Sequence, residues 1–361
     1  MNKFIKATAI LTAAVSLIFV SCKGDASSKD VMYEPTQQLT NSIVSTPAKA
    51  EYSQGTTKNY FYFGDYPQKK VAASDLPAMS TKPSDNGWYV GSDGNYYGKI
   101  GDDFYEVTPI LWCEVTSEYD YDGHSEDADN SSCSNKASLL VAESILAGGV
   151  PYYNTCAAYY TANNVDEAKA NDSNIRVIGG KEIFTNNYEY SQLRAFLLGT
   201  DYIDLAGKSV STYKGKGFLQ GAFSTEAQSR LITVDVMNDG KSGTEPCDYG
   251  YETVCDSNLP ISCDTTKDKV FVLSMFEYGN PAYGLGHGND GGAEIMNKRK
   301  RSATEYAAAA GATTDYWERT PYYKNTCSLR YVNSNGSSYN NKLANDSTVG
   351  VVPAIVVKIA E

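Results

Sequence analysis

Apolar residues in this sequence come in short runs, each stopped by glycine, proline, asparagine or aspartate, and that pattern limits what the chain can build. Tyr60-Phe61-Tyr62-Phe63 is closed by Gly64-Asp65-Tyr66-Pro67. Trp88-Tyr89-Val90 and Tyr96-Tyr97 flank Gly91-Ser92-Asp93-Gly94-Asn95, and Asp-Gly between aromatic runs predicts a hairpin. A second hairpin is expected to turn at Gly101-Asp102-Asp103 into Phe104-Tyr105-Glu106-Val107. Ile110 to Val115 reads as a buried strand around Trp112, with further strands at Ala137 to Ser144, Val270 to Leu273, Leu329 to Val332 and Val349 to Ile359. Pro353 interrupts the last of these, which places it at an edge or a bulge.

Helix signals are few and short. Leu193, Phe196 and Leu197 share one face of a helix over Ser191 to Leu198, which Gly199 stops. Ser224 is the expected N-cap of a helix over Thr225 to Leu231, with Glu226 placed to suit the dipole. Ser302-Ala303-Thr304-Glu305 reads as a capping box leading through Tyr306 to Ala310. No repeat of fixed period occurs. Clustered strands with a few short helices indicate α+β, a single mixed domain. Trp112, Leu193, Phe196, Val270, Phe271, Leu273 and Trp317 are its expected core.

The N-terminus carries a different message. Lys3 and Lys6 precede the uncharged run Ala7 to Val20, and Ser21-Cys22 follows at once. This has the layout of a secretory signal, too short for a comfortable membrane span. A small residue directly before Cys resembles a bacterial lipobox, although Phe19 stands where Leu is usual. Residues 1–21 are therefore expected to be a lipoprotein signal peptide and Cys22 the acylated residue, fixing the protein to a membrane. Residues 22–59, rich in Ser, Thr, Gln, Lys and Ala, are expected to form a disordered tether with a typical reach on the order of 35 Å. Residues 60–361 form the expected globular domain. The localisation that follows is the cell envelope, at the outer membrane surface or facing the periplasm.

A formal net charge of −12 disfavours phosphate backbones, so nucleic acid is not an expected partner. The one basic run, Lys298-Arg299-Lys300-Arg301, reads as a solvated loop. Export permits disulfides, and Cys247, Cys255 and Cys263, spaced evenly, are the candidates for a local clip whose pairing stays open.

Candidate chemistry is thin. The two histidines, His124 and His287, lie in loop-like sequence with no H-E-x-x-H spacing, and no G-x-S-x-G occurs. The acidic stretch Glu118 to Asn130 fails the EF-hand pattern, and Gly288-Asn289-Asp290 is a single copy of a motif that works in stacks. No catalytic residue, cofactor or metal site is assigned. Tyrosine is the unusual component, at 29 residues against 11 Phe and three Trp. Rigid rings with polar tips suit recognition surfaces, and equally suit strands. The pairs Tyr152-Tyr153, Tyr159-Tyr160 and Tyr322-Tyr323 sit beside turn residues and are expected to be partly exposed. Arg194 and Arg319 each stand alone among apolar or aromatic residues; both are expected to organise the fold through carbonyls or an acidic partner.

Several segments together resemble one family. These are Gly64-Asp65-Tyr66-Pro67-Gln68, Tyr96-Tyr97-Gly98-Lys99, Val107 to Trp112, Leu139 to Leu146, Tyr190 to Leu197, Asp268 to Ser274, Tyr316 to Pro321, Tyr331 to Gly336 and Gly350 to Ala354. The order is similar to that of a bacterial domain of unknown function found in treponeme lipoproteins and clostridial envelope proteins. The closing pattern more distantly resembles the sulfatase-modifying-factor branch of the C-type lectin fold. Glu318 and Val352 depart from the pattern, which has Leu and Arg there. The resemblance supplies no catalytic residue. Three readings compete: a non-catalytic module binding glycan or protein through a Tyr-rich face, a carboxylate-based envelope hydrolase, and a structural envelope protein.

Overall fold

The computed structural model describes residues 30–46, 49–51, 56–121, 135–154, 176–236, 238, 265–280, 283–285, 292–322 and 327–359, and the statements below concern these residues. The chain divides into Met1–Asp30 and Val31–Glu361, and the second unit is the folded body.

The aromatic runs form strands as their turn residues dictate. β1 is Val44–Ser45, β2 Tyr60–Lys70, β3 Tyr89–Val90, β4 Tyr96–Ile100, β5 Asp103–Asp120, β6 Lys136–Ala142, β7 Val270–Phe271, β8 Tyr316–Pro321, β9 Ser328–Val332, β10 Ser338–Leu343 and β11 Ala354–Val357. Both expected hairpins are present: β3 pairs with β4, and Gly101 at φ 58° turns β4 into β5. The main sheet has eight strands in the order β1-β2-β5-β6-β11-β7, with β3 and β4 branching from β5. All its pairings are antiparallel. β8, β9 and β10 make a separate three-stranded sheet. The helices are α1 Gln192–Leu198, α2 Phe218–Ala222, α3 Thr225–Gln228, α4 Met275–Gly279, α5 Gly292–Arg299 and α6 Glu305–Ala309. The architecture is α+β, with open sheets and no closed barrel.

Local signals placed most helix ends. Ser191 accepts from the Arg194 N–H, and Gly199 stops α1 at φ 67°. Ser224 caps α3, which ends at Gln228, short of Leu231. Two expectations need correction. Ser302-Ala303 is a strand pairing in parallel with Ser144-Ile145, so Thr304 takes the N-cap of α6 and accepts from the Ala307 N–H. β11 is an interior strand between β6 and β7, not an edge. Pro353 lies just before the ladder, where its missing N–H costs nothing and its carbonyl accepts from Ala142.

The core fills the space between the sheets and helices. Trp112, Leu193, Val270, Phe271, Leu273 and Trp317 are buried, and the half-buried Phe196 packs against them. Each Trp sends its indole N–H to a backbone carbonyl distant in sequence: Trp112 to Phe63 at 2.7 Å, Trp88 to Gly221 at 3.0 Å and Trp317 to Val150 at 3.3 Å. Tyr66 sits at the centre of an aromatic knot, 4.8 Å from Phe218, 5.4 Å from Trp88 and 5.8 Å from Tyr306 between ring centroids. Burial pushes its phenol well above the ordinary value.

The tyrosines are mainly a core material. Tyr152 and Tyr153 are buried, against the expectation of exposure, Tyr322 is half-buried, and Tyr159, Tyr160 and Tyr323 lie outside the described residues. Among the described tyrosines, Tyr62 and Tyr339 are the exposed ones. The polar tips find partners indoors: Tyr152 donates to the Arg319 carbonyl, Tyr153 to Ile203 and Tyr316 to Arg299.

The tether expectation also changes. Residues 31–46 lie along the body as a strap. The Val31 and Thr81 backbones bond, and Gly94 accepts from the Thr36 and Gln37 N–H groups. The Gln37 amide donates to Val107 at 2.9 Å and accepts from Tyr96 N at 2.8 Å. Thr40 bonds the Asp65 carboxylate through both its N–H and its hydroxyl. Low apolar content argued against order, but polar side chains that copy strand hydrogen bonds hold the segment. Brief proteolysis is therefore expected to leave a core beginning near Val31, read by mass spectrometry, and not near Tyr60. Replacing Gln37 by Leu and Thr40 by Val together should open cleavage within residues 31–46.

Candidate functional site

One groove is open to solvent beside the aromatic knot. Three pieces of chain wall it: the continuation of β2 from Lys70 to Leu76, the β4–β5 turn with Asp102 to Tyr105, and α6 with Glu305, Ala308 and Ala309. Its volume is about 790 Å³. Local chemistry sets each wall. The Val71 N–H donates to Phe104 O at 2.9 Å, extending the β2–β5 pairing past the strand end. The Thr304 cap places Glu305 in the first turn of α6, where a carboxylate suits the dipole.

Lys70 links the polar rim. Its ammonium meets Asp103 at 2.6 Å, and its backbone N–H donates to Glu305 Oε2 at 2.6 Å. The Asp103 hydrogen bond raises the Lys70 pKa, so the ammonium stays charged. Asp102 makes no hydrogen bond or ion pair with a described residue. Ala72, Ala73, Leu76, Ala308 and Ala309 supply the apolar surface. Among the described residues no group of three or more His, Cys, Asp and Glu is placed to hold a metal ion.

Arg194 and Arg319 lie away from this groove. Arg194 grips Asp268 with Nε and Nη2, at 2.9 and 2.7 Å to Oδ1, and donates to the Glu189 carbonyl at 3.0 Å. Asp268 is fully buried and also accepts from Thr266. Arg319 is buried; it donates to Val272 O at 2.9 Å and pairs with Glu277, itself 3% exposed. Burial, the largest single influence, lowers the Arg319 pKa, but the Glu277 charge and hydrogen bond together with Tyr119 and Tyr188 outweigh it and raise it. Glu277 is the N3 residue of the capping box Ser274-Met275-Phe276-Glu277, a sequence signature that could have identified it.

The basic run is no solvated loop. Lys298 and Arg299 form the last turn of α5, and Arg299 is buried. The Arg301 side chain, 7% exposed, faces Glu143 at 3.3 Å and donates to the Ala142, Lys298 and Lys300 carbonyls. A cation here meets carbonyls at a helix C-terminus, which is why Arg299 and Arg301 turn inward while Lys300 stays exposed. Cys22, Cys247, Cys255, Cys263, His124 and His287 lie outside the described residues. No disulfide joins two described cysteines; Cys113 and Cys327 are buried.

Glu318 is the unexpected buried charge. It is 0% exposed, and neither carboxylate oxygen makes a well-formed hydrogen bond. Burial raises its pKa; the charge of Arg330, the nearby Ser338 hydroxyl and Arg299 oppose the rise without cancelling it. Tyr316 and Glu318, two apart on β8, share a face.

Residues 156–359 match the family described as Domain of unknown function (DUF6273). The chain belongs to this family. The DUF6273 match takes in every described helix, β7 to β11, the Arg194–Asp268 and Arg319–Glu277 pairs and Glu318. It leaves outside the quoted segments from Gly64 to Leu146, so the groove straddles its boundary: α6 lies within DUF6273, and the other two walls do not. No curated protein and no solved structure matches the chain.

Two expected outcomes follow from the buried charges. Arg194→Met should lower stability by about 3–5 kcal/mol, because it strands Asp268 in the interior; chemical denaturation measures it. Glu318→Leu should raise stability by about 1–3 kcal/mol at neutral pH by removing an unsatisfied carboxylate. A raised folded pKa makes the protonated acid the better fit. Its stabilisation is full below the unfolded pKa and is lost as pH rises through the folded one. The advantage of Glu318→Leu should therefore shrink on acidification.

Proposed function

We propose that this protein is a lipid-anchored bacterial envelope protein whose body binds a partner without catalysis. The anchor reading rests on Ser21-Cys22 behind Lys3, Lys6 and the apolar run Ala7 to Val20. The treponeme-type resemblance supports the same compartment. Among the described residues no helix is long and apolar enough to cross a membrane.

The observation that carries the binding role is the open groove at Lys70 and Glu305. It offers apolar and charged surface to an extended ligand, yet no nucleophile with an adjacent base lines it. The described tyrosines lie mainly indoors and offer no Tyr-rich recognition face. A carboxylate-based hydrolase stays as a second reading because Asp102, Asp103 and Glu305 line the same groove.

Cys22→Ala should release the protein from the membrane to the soluble fraction, read by fractionation and immunoblot. An unchanged distribution defeats the anchor. The released protein, screened on peptide and glycan arrays, should retain a ligand and leave it intact. Turnover of a ligand that stops in Glu305→Gln would establish the hydrolase instead.

A further inference from the structure

We infer that the groove docks an extended peptide presenting a lysine- or arginine-like cation on an aliphatic stem. The inference deepens the proposed binding role and rests on it.

Charge decides the sign of the ligand. Three carboxylates, Asp102, Asp103 and Glu305, face one ammonium, Lys70. Lys70 is committed to Asp103 at 2.6 Å. Asp102 has no described partner, and Glu305 uses only Oε2, toward the Lys70 N–H. The rim thus keeps one whole carboxylate and one carboxylate oxygen for an incoming cation. The formal charge of −12 on the whole chain works in the same direction at longer range.

Shape decides between peptide and sugar. Sugar rings favour flat, exposed aromatic faces, and this groove withholds them. Tyr105 is buried, and Lys99 sits 5.2 Å from the Phe104 ring centroid, covering that ring. What remains is the small aliphatic surface of Ala72, Ala73, Leu76, Ala308 and Ala309. Methylene stems of lysine or arginine lie well along such surface while their heads reach carboxylates. At about 790 Å³ the groove has room for two or three such residues.

The test uses the full chain carrying Cys22→Ala and fluorescein-labelled pentalysine, its Nε-acetylated form and pentaglutamate, followed by anisotropy. Pentalysine should bind, more weakly as salt rises. The acetylated peptide should bind at least about tenfold more weakly, because each lost charge pair at an exposed rim is modest and several act together. Pentaglutamate should not bind. The double variant Asp102→Asn, Glu305→Gln should weaken pentalysine by a similar factor, and Ala308→Trp, which fills the groove, should abolish binding. Ala72→Arg on the opposite wall serves if Ala308→Trp fails to fold. Glu226→Gln, on α3, should leave binding unchanged. Equal binding of the acetylated peptide, or pentalysine binding that survives the groove variants, overturns the inference. An array ligand held equally well by Ala308→Trp would overturn the groove while the binding role stands. No ligand on the array and no pentalysine binding would sink both.

Discussion

Arg319 ties the three-stranded sheet to the main sheet through its backbone N–H, its carbonyl and its guanidinium. Its backbone N–H donates to Leu273 O at 3.1 Å, and its carbonyl accepts from the Tyr152 hydroxyl. Its guanidinium meets Val272 O and the Glu277 carboxylate, which also accepts from Tyr119 of β5 and from the Ser274 N–H. One residue of β8 thereby reaches the chain after β7, the start of α4, the longest strand of the main sheet and the loop before α1. An ion pair so enclosed is not a large stabiliser compared with an apolar substitute of the same volume. It does demand one arrangement, because any other leaves a charge without its partner in a dry interior.

The same logic extends to the tyrosines. Phenylalanine would fill the interior equally well but could not terminate the loose carbonyls of an irregular, short-stranded fold. The Tyr153 and Tyr316 hydroxyls meet carbonyls that no ladder claims. A protein whose described helices run to only four to eight residues has many such carbonyls. Abundant tyrosine is therefore a response to architecture.

Signals that act within a few residues were legible in the sequence. The Asp-Gly hairpin, the Ser224 cap, the Gly199 stop and the burial of Trp112 and Phe271 are all of this kind. Signals that depend on distant partners were not. Ser302 fits a capping box until Ser144 draws it into a strand, and Lys298 to Arg301 looks like a solvated run until Glu143 and the Ala142 carbonyl come beside it. The groove was invisible for the same reason. Its walls come from residues 70–76, 102–105 and 305–309, which only the β2–β5 pairing and the packing of α6 bring together.

The strap over residues 31–46 has a mechanical consequence. Tension applied at the N-terminal end enters the body at Val31 and meets, in turn, the ties to Thr81, Gly94, Val107 and Asp65 before it reaches β1 against β2. These ties lie one behind another, so they yield singly, like stitches, and each yielding lengthens the chain and relaxes the load. The pairing of β1 with β2 takes the full load only after the last stitch opens. A segment that adds little to the core thus acts as a graded shock absorber for the part of the protein that carries the groove.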